Sequence, residues 1–145
     1  MATDRTAEVT WNGSLLEGRG RIDSTTSGVL DERELSWRAR AEDAPAGTTS
    51  PEDLIAAAHA SCFAMALSHG LAQGGTPPDE LHTSATVTFQ PGEGITRIRL
   101  SVYGRVPGLD EAGFRKAAED AKQNCPVSKA LASVPEITLE SQFDG

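Results

Sequence analysis

Apolar and polar residues alternate along several short segments of the chain, a pattern that predicts half-buried β-strands. Residues 6–11 place Ala7, Val9 and Trp11 on one face, and the Asn-Gly turn signal that follows ends this strand. Residues 19–26 form a second, more polar strand candidate, which leaves a hairpin loop between the two. The same alternation predicts four further strands, over residues 35–41, 81–89, 98–104 and 137–143.

One segment has the pattern of a long helix. Ser50 is a good N-cap residue, and Glu52 and Asp53 favour the positive end of a helix dipole. The helix is predicted to run to about Gln73, where paired glycines and prolines stop it. Residues 54–67 are apolar almost all round, so we expect this helix to be surrounded, and its small alanines would allow a second helix to approach closely.

Two shorter helices are predicted near the end of the chain. Asp110 can cap a helix over 111–124, and a short helix over 126–132 begins with Cys125 at its cap. Residues 42–49 are predicted to form a mobile loop. The resulting order, β-β-β-α-β-β-α-α-β, predicts an α+β fold with mostly antiparallel strands, and no linker interrupts it, so all 145 residues are expected to form one domain.

Charge and composition exclude several classes of function. The chain has 13 Lys and Arg against 21 Asp and Glu, a formal net charge of −8, which argues against binding to nucleic acid or to anionic membrane surfaces. The longest apolar run, 54–67, is too short to span a bilayer, and residues 1–13 lack the apolar region of a signal peptide. With two cysteines rather than a disulfide framework, the chain is expected in the reducing cytoplasm.

The two cysteines, Cys62 and Cys125, are the first candidates for chemistry. Cys62 lies in the predicted long helix, where a free cysteine is often a small buried hydrophobe, but the nearby His59 and Ser61 would need polar partners in a core. Cys125 is either a simple cap or a thiol whose pKa is lowered by a helix N-terminus. His59 is either a satisfied core histidine or a base, and with Cys62 it lacks the further ligands of a metal site.

Charged residues could assist a thiol. Arg38 and Arg40 lie on one face of the predicted third strand. They either form a solvated surface or provide guanidinium groups that stabilise a thiolate and orient a hydroperoxide. Glu52 is at least a carboxylate suited to a helix start. Ten residues of helix separate it from Cys62, about 15 Å, so it could serve a thiol only from an antiparallel helix of a second subunit.

Two motifs carry a family resemblance. The segments SPEDLIAAAHASCF at 50–63 and NCPVSKAL at 124–131 resemble the osmotically inducible protein C (OsmC) family, which is related to the organic hydroperoxide resistance (Ohr) proteins. The resemblance extends from Trp11 to Phe143, and its details look closer to OsmC than to Ohr. It implies an intertwined homodimer, in which two sheets wrap a pair of long buried helices and the active sites lie at the subunit interface.

The resemblance also implies an activity, the thiol-dependent reduction of organic hydroperoxides and, more weakly, of hydrogen peroxide. Cys62 matches the family's peroxidatic cysteine, and Cys125 matches its resolving cysteine. Glu52 matches the carboxylate that pairs with the active-site arginine. Arg40 is the best match for that arginine, and Arg38 is the alternative because the stretch 41–50 is slightly longer than the family pattern.

The resemblance further implies that a dithiol, of lipoyl type in this family, resets the enzyme and that no metal, haem, flavin or nicotinamide is required. Phe63 and Met65 are expected near the pocket for the organic part of the substrate. Two alternatives stay open at this point. The same cysteines could serve a redox sensor, or the chain could be a non-catalytic module that binds an apolar ligand.

Overall fold

The predicted strands and helices are largely present in the computed structural model of the chain, which describes residues 1–43 and 46–145. The chain divides into two compact units, Met1–Leu54 and Ile55–Gly145. The predicted loop over 42–49 includes Ala44 and Pro45, which lie outside the described residues. The elements in chain order are β1 (Ala7–Asn12), β2 (Arg19–Thr25), β3 (Arg33–Leu35), α1 (Trp37–Ala41), β4 (Thr48–Thr49), α2 (Pro51–Gln73), β5 (Glu80–Gln90), β6 (Gly94–Arg105), α3 (Glu111–Asn124), α4 (Pro126–Ala130) and β7 (Glu136–Asp144).

The first unit contains a four-stranded sheet in the order β1-β2-β3-β4. Strands β1 and β2 form the predicted antiparallel hairpin, and Gly13 has the positive φ of 91° that its turn requires. The apolar face of β1 was expected to be half-buried, yet Val9 and Trp11 are exposed in the single chain. Strand β4, which was not predicted, pairs in parallel with β3.

The predicted third strand over 35–41 is wrong beyond its first residue. The strand ends at Leu35, and Ser36 caps a short helix instead, because its Oγ accepts a hydrogen bond of 3.1 Å from the backbone N–H of Ala39. Alternation over so few residues does not distinguish a strand from a cap residue followed by a short helix. The change matters for the site, because residues two apart share a face in a strand but are about 200° apart around a helix.

Helix α2 begins at the predicted cap. Ser50 is buried, and its Oγ accepts a hydrogen bond of 3.1 Å from the backbone N–H of Asp53. Within the second unit, α2 buries one stripe spaced four residues apart: His59, Phe63, Leu67 and Leu71. The apolar members of this stripe pack into the main hydrophobic core together with β6 and α3.

The second unit has a three-stranded sheet in the order β5-β6-β7. Strands β5 and β6 are antiparallel, as predicted, and β6 and β7 are parallel because helices α3 and α4 form the connection between them. Alternate residues of β6 are buried, ending in Gly104, whose Cα faces the ring of Phe114 on α3. Asp110 caps α3 as predicted, through a hydrogen bond of 2.7 Å from the N–H of Gly113.

The opposite face of α2 is exposed in the single chain. Most of its residues are small or apolar, and Met65 is 73% exposed. The other exposed residues from Ala57 to the end of α2 are Ala57, Ala58, Ser61, His69, Gly70, Ala72 and Gln73. The chain alone therefore does not surround this helix as expected. By length and composition α2 could also cross a membrane, with a mean hydropathy of 1.4 over its best window, but the core helices of soluble proteins pass the same test.

Candidate active site

The thiols of Cys62 and Cys125 are neighbours in the second unit, close enough for each to shift the pKa of the other. Both cysteines are free. Cys62 lies on α2 and is half-buried, whereas Cys125, at the predicted cap of α4, has no exposed surface. The fold therefore brings together the two cysteines that are 63 positions apart in the sequence.

The two thiols have unequal acidities. Burial raises the pKa of Cys62, and the neighbouring Cys125 raises it further, while the N–H of Val127 partly opposes them. Burial also acts to raise the pKa of Cys125, but Cys62, the N–H and hydroxyl of Ser128 and the N–H of Val127 outweigh it, and its pKa is lowered.

His59 lies one turn before Cys62 on α2 and is fully buried. Its Nε2 is 2.7 Å from the Oγ of Ser128, the third residue of α4. Burial lowers the pKa of this histidine, so its ring is neutral near neutral pH. Ser128 was not singled out from the sequence, although its position three residues after the cap cysteine is a signal that could have found it.

Arg40 and Glu52 form an ion pair in the first unit. The Nε of Arg40 lies 3.0 Å and 3.2 Å from the two carboxylate oxygens of Glu52. The Glu52 side chain is 8% exposed and that of Arg40 is 34% exposed, so the pair is largely shielded from water. A carboxylate held on Nε fixes the direction of the guanidinium, and a group with five N–H donors can bind anionic or polar oxygen atoms at the same time.

Arg38 has a different partner. Its Nε lies 3.5 Å from Glu42 one turn further along, and its side chain is 65% exposed. Because α1 is a helix, the two arginines point in different directions, and only Arg40 is paired with Glu52 in the described part of the chain. The geometry thus distinguishes the two candidates, which the predicted strand face did not.

A cavity of about 360 Å³ lies beside Arg40 within the first unit. Its walls are mainly apolar: Trp11, Leu15, Leu35, Trp37 and Pro51, with Ser36 beside them. The sequence placed Phe63 and Met65 near a substrate pocket. Phe63 is instead fully buried in the hydrophobic core, where it packs against neighbouring side chains, and Met65 is exposed on the surface of α2.

Metal ligands are not grouped in the described residues. Within residues 1–43 and 46–145, no three His, Cys, Asp or Glu side chains lie together so that they could hold a metal ion.

Known proteins resemble this chain along most of its length. The family model described as OsmC-like protein matches residues 41–140. Peroxiredoxin OsmC of Escherichia coli (strain K12) is 39% identical over 146 aligned positions, which cover 99% of both chains. Organic hydroperoxide resistance protein OhrB of Bacillus subtilis (strain 168) is 29% identical over 136 positions, covering 93% of this chain and 96% of the relative.

A solved structure has a similar fold along the full length. An organic hydroperoxide resistance protein from Elizabethkingia anophelis, with crystallant-derived thiocyanate bound, matches with a TM-score of 0.69 and 25% identity, covering 99% of this chain and 100% of that chain. The higher identity to OsmC than to OhrB confirms the predicted branch. From its family match and its relatives, this chain belongs to the OsmC family.

Proposed function

We propose that this chain is a cysteine-based peroxidase that reduces organic hydroperoxides and, more slowly, hydrogen peroxide. The observation that carries the proposal is the pair of free thiols, Cys62 and Cys125, which are neighbours although they come from different helices. Two neighbouring thiols can pass from dithiol to disulfide when a peroxide oxidises one of them. The relatives named for peroxiredoxin activity and for organic hydroperoxide resistance support the same reaction.

Access to solvent favours Cys62 as the residue that attacks the peroxide. Cys62 is half-buried, while Cys125 is fully buried behind it, so an incoming peroxide meets Cys62 first. Its thiolate attacks one peroxide oxygen, the O–O bond breaks, and the alcohol leaves after taking up a proton. Cys62 is then a sulfenic acid. Cys125 attacks its sulfur, the S–O bond breaks, and water leaves as the disulfide forms.

A charged group from outside the single chain completes the proposal. The pKa of Cys62 is raised in the single chain, so a neighbouring cation is needed to produce its thiolate near neutral pH. Glu52 precedes Cys62 by ten residues on one helix, about 15 Å of rise, and is paired with Arg40. We therefore assign this role to Arg40 and Glu52 of a second subunit, in a homodimer whose active sites lie at the interface.

The exposed surface of α2 supports the dimer. A helix whose outer face is lined by Ala57, Ala58, Ser61 and Met65 presents small and apolar groups to water, and a second α2 can pack closely against such a face. The apolar cavity beside Arg40 offers room for the alkyl part of a hydroperoxide whose oxygen atoms face the guanidinium. This arrangement gives a reason for preferring organic hydroperoxides to hydrogen peroxide.

A dithiol is the expected reductant, because it can attack the Cys62–Cys125 disulfide and then close on itself to release both thiols. A lipoyl-type dithiol has this chemistry. The proposal places the protein in the cytoplasm, where cysteines are kept reduced between turnovers.

Turnover of an organic hydroperoxide with a dithiol reductant tests the assignment of the two cysteines. Cys62→Ser should abolish turnover. Cys125→Ser should still consume about one equivalent of peroxide and then accumulate the sulfenic acid or its higher oxides at Cys62, because the second thiol is missing. Retained turnover in Cys62→Ser would show that another group is the nucleophile. Ser101→Ala, which removes a hydroxyl paired with Ser84 between β5 and β6, is the control and should keep full turnover.

A further inference from the structure

The buried pair formed by His59 and Ser128 has no role in the steps above. His59 has no exposed surface, and its Nε2 lies 2.7 Å from the Oγ of Ser128. Its other ring nitrogen, Nδ1, is the one buried side-chain nitrogen or oxygen in the described part of the chain that lacks a hydrogen-bond partner. A neutral histidine in this position carries one proton, and its location decides which way the hydrogen bonds run.

The unpartnered Nδ1 indicates the tautomer. A buried N–H without an acceptor is rarer in folded proteins than an unfilled acceptor position, so the proton belongs on Nε2. Nε2–H then donates to the Oγ of Ser128. Because the Oγ of Ser128 accepts this hydrogen bond, its own hydroxyl hydrogen remains available for donation to another group.

The remaining hydrogen can be donated toward Cys125. Cys125 is the cap residue of α4 and Ser128 is its third residue, and a cap side chain faces the third residue of the helix that it caps. The N–H groups of Val127 and Ser128 at the start of α4 also act on the sulfur of Cys125, so the Ser128 hydroxyl adds to donors from the same helix end. The hydroxyl of Ser128 acts on this sulfur and favours its anion. The titratable group facing Cys125 is Cys62 on α2, since the groups contributed by α4 are N–H donors and the hydroxyl.

We infer that His59 and Ser128 are positioning residues for the second chemical step, in which His59 orients the Ser128 hydroxyl toward the thiolate of Cys125. The inference rests on the proposed role of Cys125 as the resolving cysteine. In that step the Cys125 thiolate bonds to the Cys62 sulfur, the S–O bond of the sulfenic acid breaks, and the leaving hydroxide takes a proton from water. Neither His59 nor Ser128 gains or loses a proton.

A single-thiol protein isolates the effect on Cys125. In the Cys62→Ser background the ultraviolet absorbance of the thiolate, followed across a pH titration, reports Cys125 alone. Ser128→Ala and His59→Leu should each lower the thiolate fraction at neutral pH about tenfold. His59→Gln should restore most of it, because the glutamine amide can place a donor near the position of Nε2. Ser101→Ala removes a hydroxyl that pairs with Ser84, far along the sequence, and should change nothing.

The rate of disulfide formation gives a second readout in the protein that retains Cys62. In Ser128→Ala the Cys125 thiolate is about tenfold less abundant, but each thiolate is more nucleophilic because its pKa is higher. Disulfide formation should therefore slow about threefold, while the first reaction with peroxide keeps its rate. Nitrogen NMR of His59 should show the proton on Nε2. An unchanged Cys125 thiolate fraction in both Ser128→Ala and His59→Leu, or a proton on Nδ1, would overturn the inference. Absence of peroxide turnover in the unmodified protein would instead contradict the proposed function, and the titration of Cys125 would still be interpretable.

Discussion

At the scale of single residues, the site depends on which partner each charged side chain has. Arg40 is held by Glu52 in a shielded ion pair, and Arg38 is held by Glu42 on the surface. An exposed pair contributes little, whereas a shielded guanidinium with several N–H donors can stabilise an anion. The two arginines therefore form a matched pair for mutation.

Arg40→Lys should lower kcat/KM for an organic hydroperoxide about 10- to 100-fold. A lysine cannot form the ion pair with Glu52 and at the same time present planar N–H donors to the substrate. Steady-state kinetics with a dithiol reductant measure the change. Arg38→Lys is the control and should stay within about twofold of the unmodified protein. Equal losses in both variants would remove the specific role of Arg40.

His59 also predicts how stability depends on pH. Burial lowers its pKa below the ordinary value of 6.5, so the unfolded chain binds a proton that the folded chain excludes. Above pH 6.5 the exclusion of this proton has no effect on the free energy of unfolding. As the pH falls from about 6.5 toward the lowered pKa, the free energy of unfolding decreases by up to about 1.4 kcal/mol per pH unit. Urea unfolding at several pH values should show this slope, and His59→Gln should flatten it. The same slope in the variant would assign the effect to other groups.

The residues of the site differ in how far the sequence reveals them. Cys62, Cys125, Glu52 and Arg40 are candidates from the sequence alone, because their residue types and spacing match a known motif. The sequence does not decide between Arg38 and Arg40, because the directions of their side chains depend on the short helix that begins at the Ser36 cap. Ser128 escapes notice because its significance lies in a contact with a residue 69 positions earlier.

At the scale of elements, the long segments followed their patterns, and so did the short helix α4, which begins at the predicted residue. Helices α2 and α3 occupy the predicted residues, and the strands of the β5–β6 hairpin differ from the prediction by a few residues at their ends. Helix α1 and strand β4 were not predicted, because two to five residues contain too little periodicity to identify, whereas Pro126 marks the start of α4. They depend on local caps and on pairing with a neighbouring strand.

The packing of β6 against α3 gives a prediction at this scale. A Cβ added at Gly104 would meet the ring of Phe114, so Gly104→Ala should lower the free energy of unfolding by about 1–3 kcal/mol. A Cβ added at Gly70 in α2 meets no atom of another residue within 4 Å, so Gly70→Ala should raise the free energy of unfolding by about 0.4–1 kcal/mol. Chemical denaturation measures both. An unchanged free energy of unfolding in Gly104→Ala would show that the Phe114 ring can move aside without destabilising the fold.

At the scale of the whole molecule, the single chain leaves apolar surface exposed on α2 and on β1. The proposed dimer would cover the α2 surface and would supply the cation that Cys62 needs. The apolar pattern of residues 54–67 indicated that all faces of this helix need a cover, but a sequence pattern does not show what covers them.

Met65→Glu tests the dimer. Placing a charge on the exposed face of α2 should weaken self-association at least tenfold and lower peroxidase activity in parallel, because the site needs both subunits. Sedimentation at several protein concentrations measures the association. Ala112→Glu, at an exposed position of α3, adds the same charge and should leave the dimer intact. An unmodified protein that is monomeric at micromolar concentration yet fully active would contradict the shared site.

Cys62 and Cys125 are proposed to form a peroxide-reactive pair, and the mass of the intact protein after oxidation is the decisive measurement. The reduced chain is treated with one equivalent of an organic hydroperoxide and, separately, of hydrogen peroxide, and the product is mapped by peptides. We expect the loss of two hydrogen atoms, a Cys62–Cys125 disulfide, and faster reaction with the organic peroxide. An unchanged mass with both thiols still free after minutes would contradict it and would favour a binding module with inert cysteines.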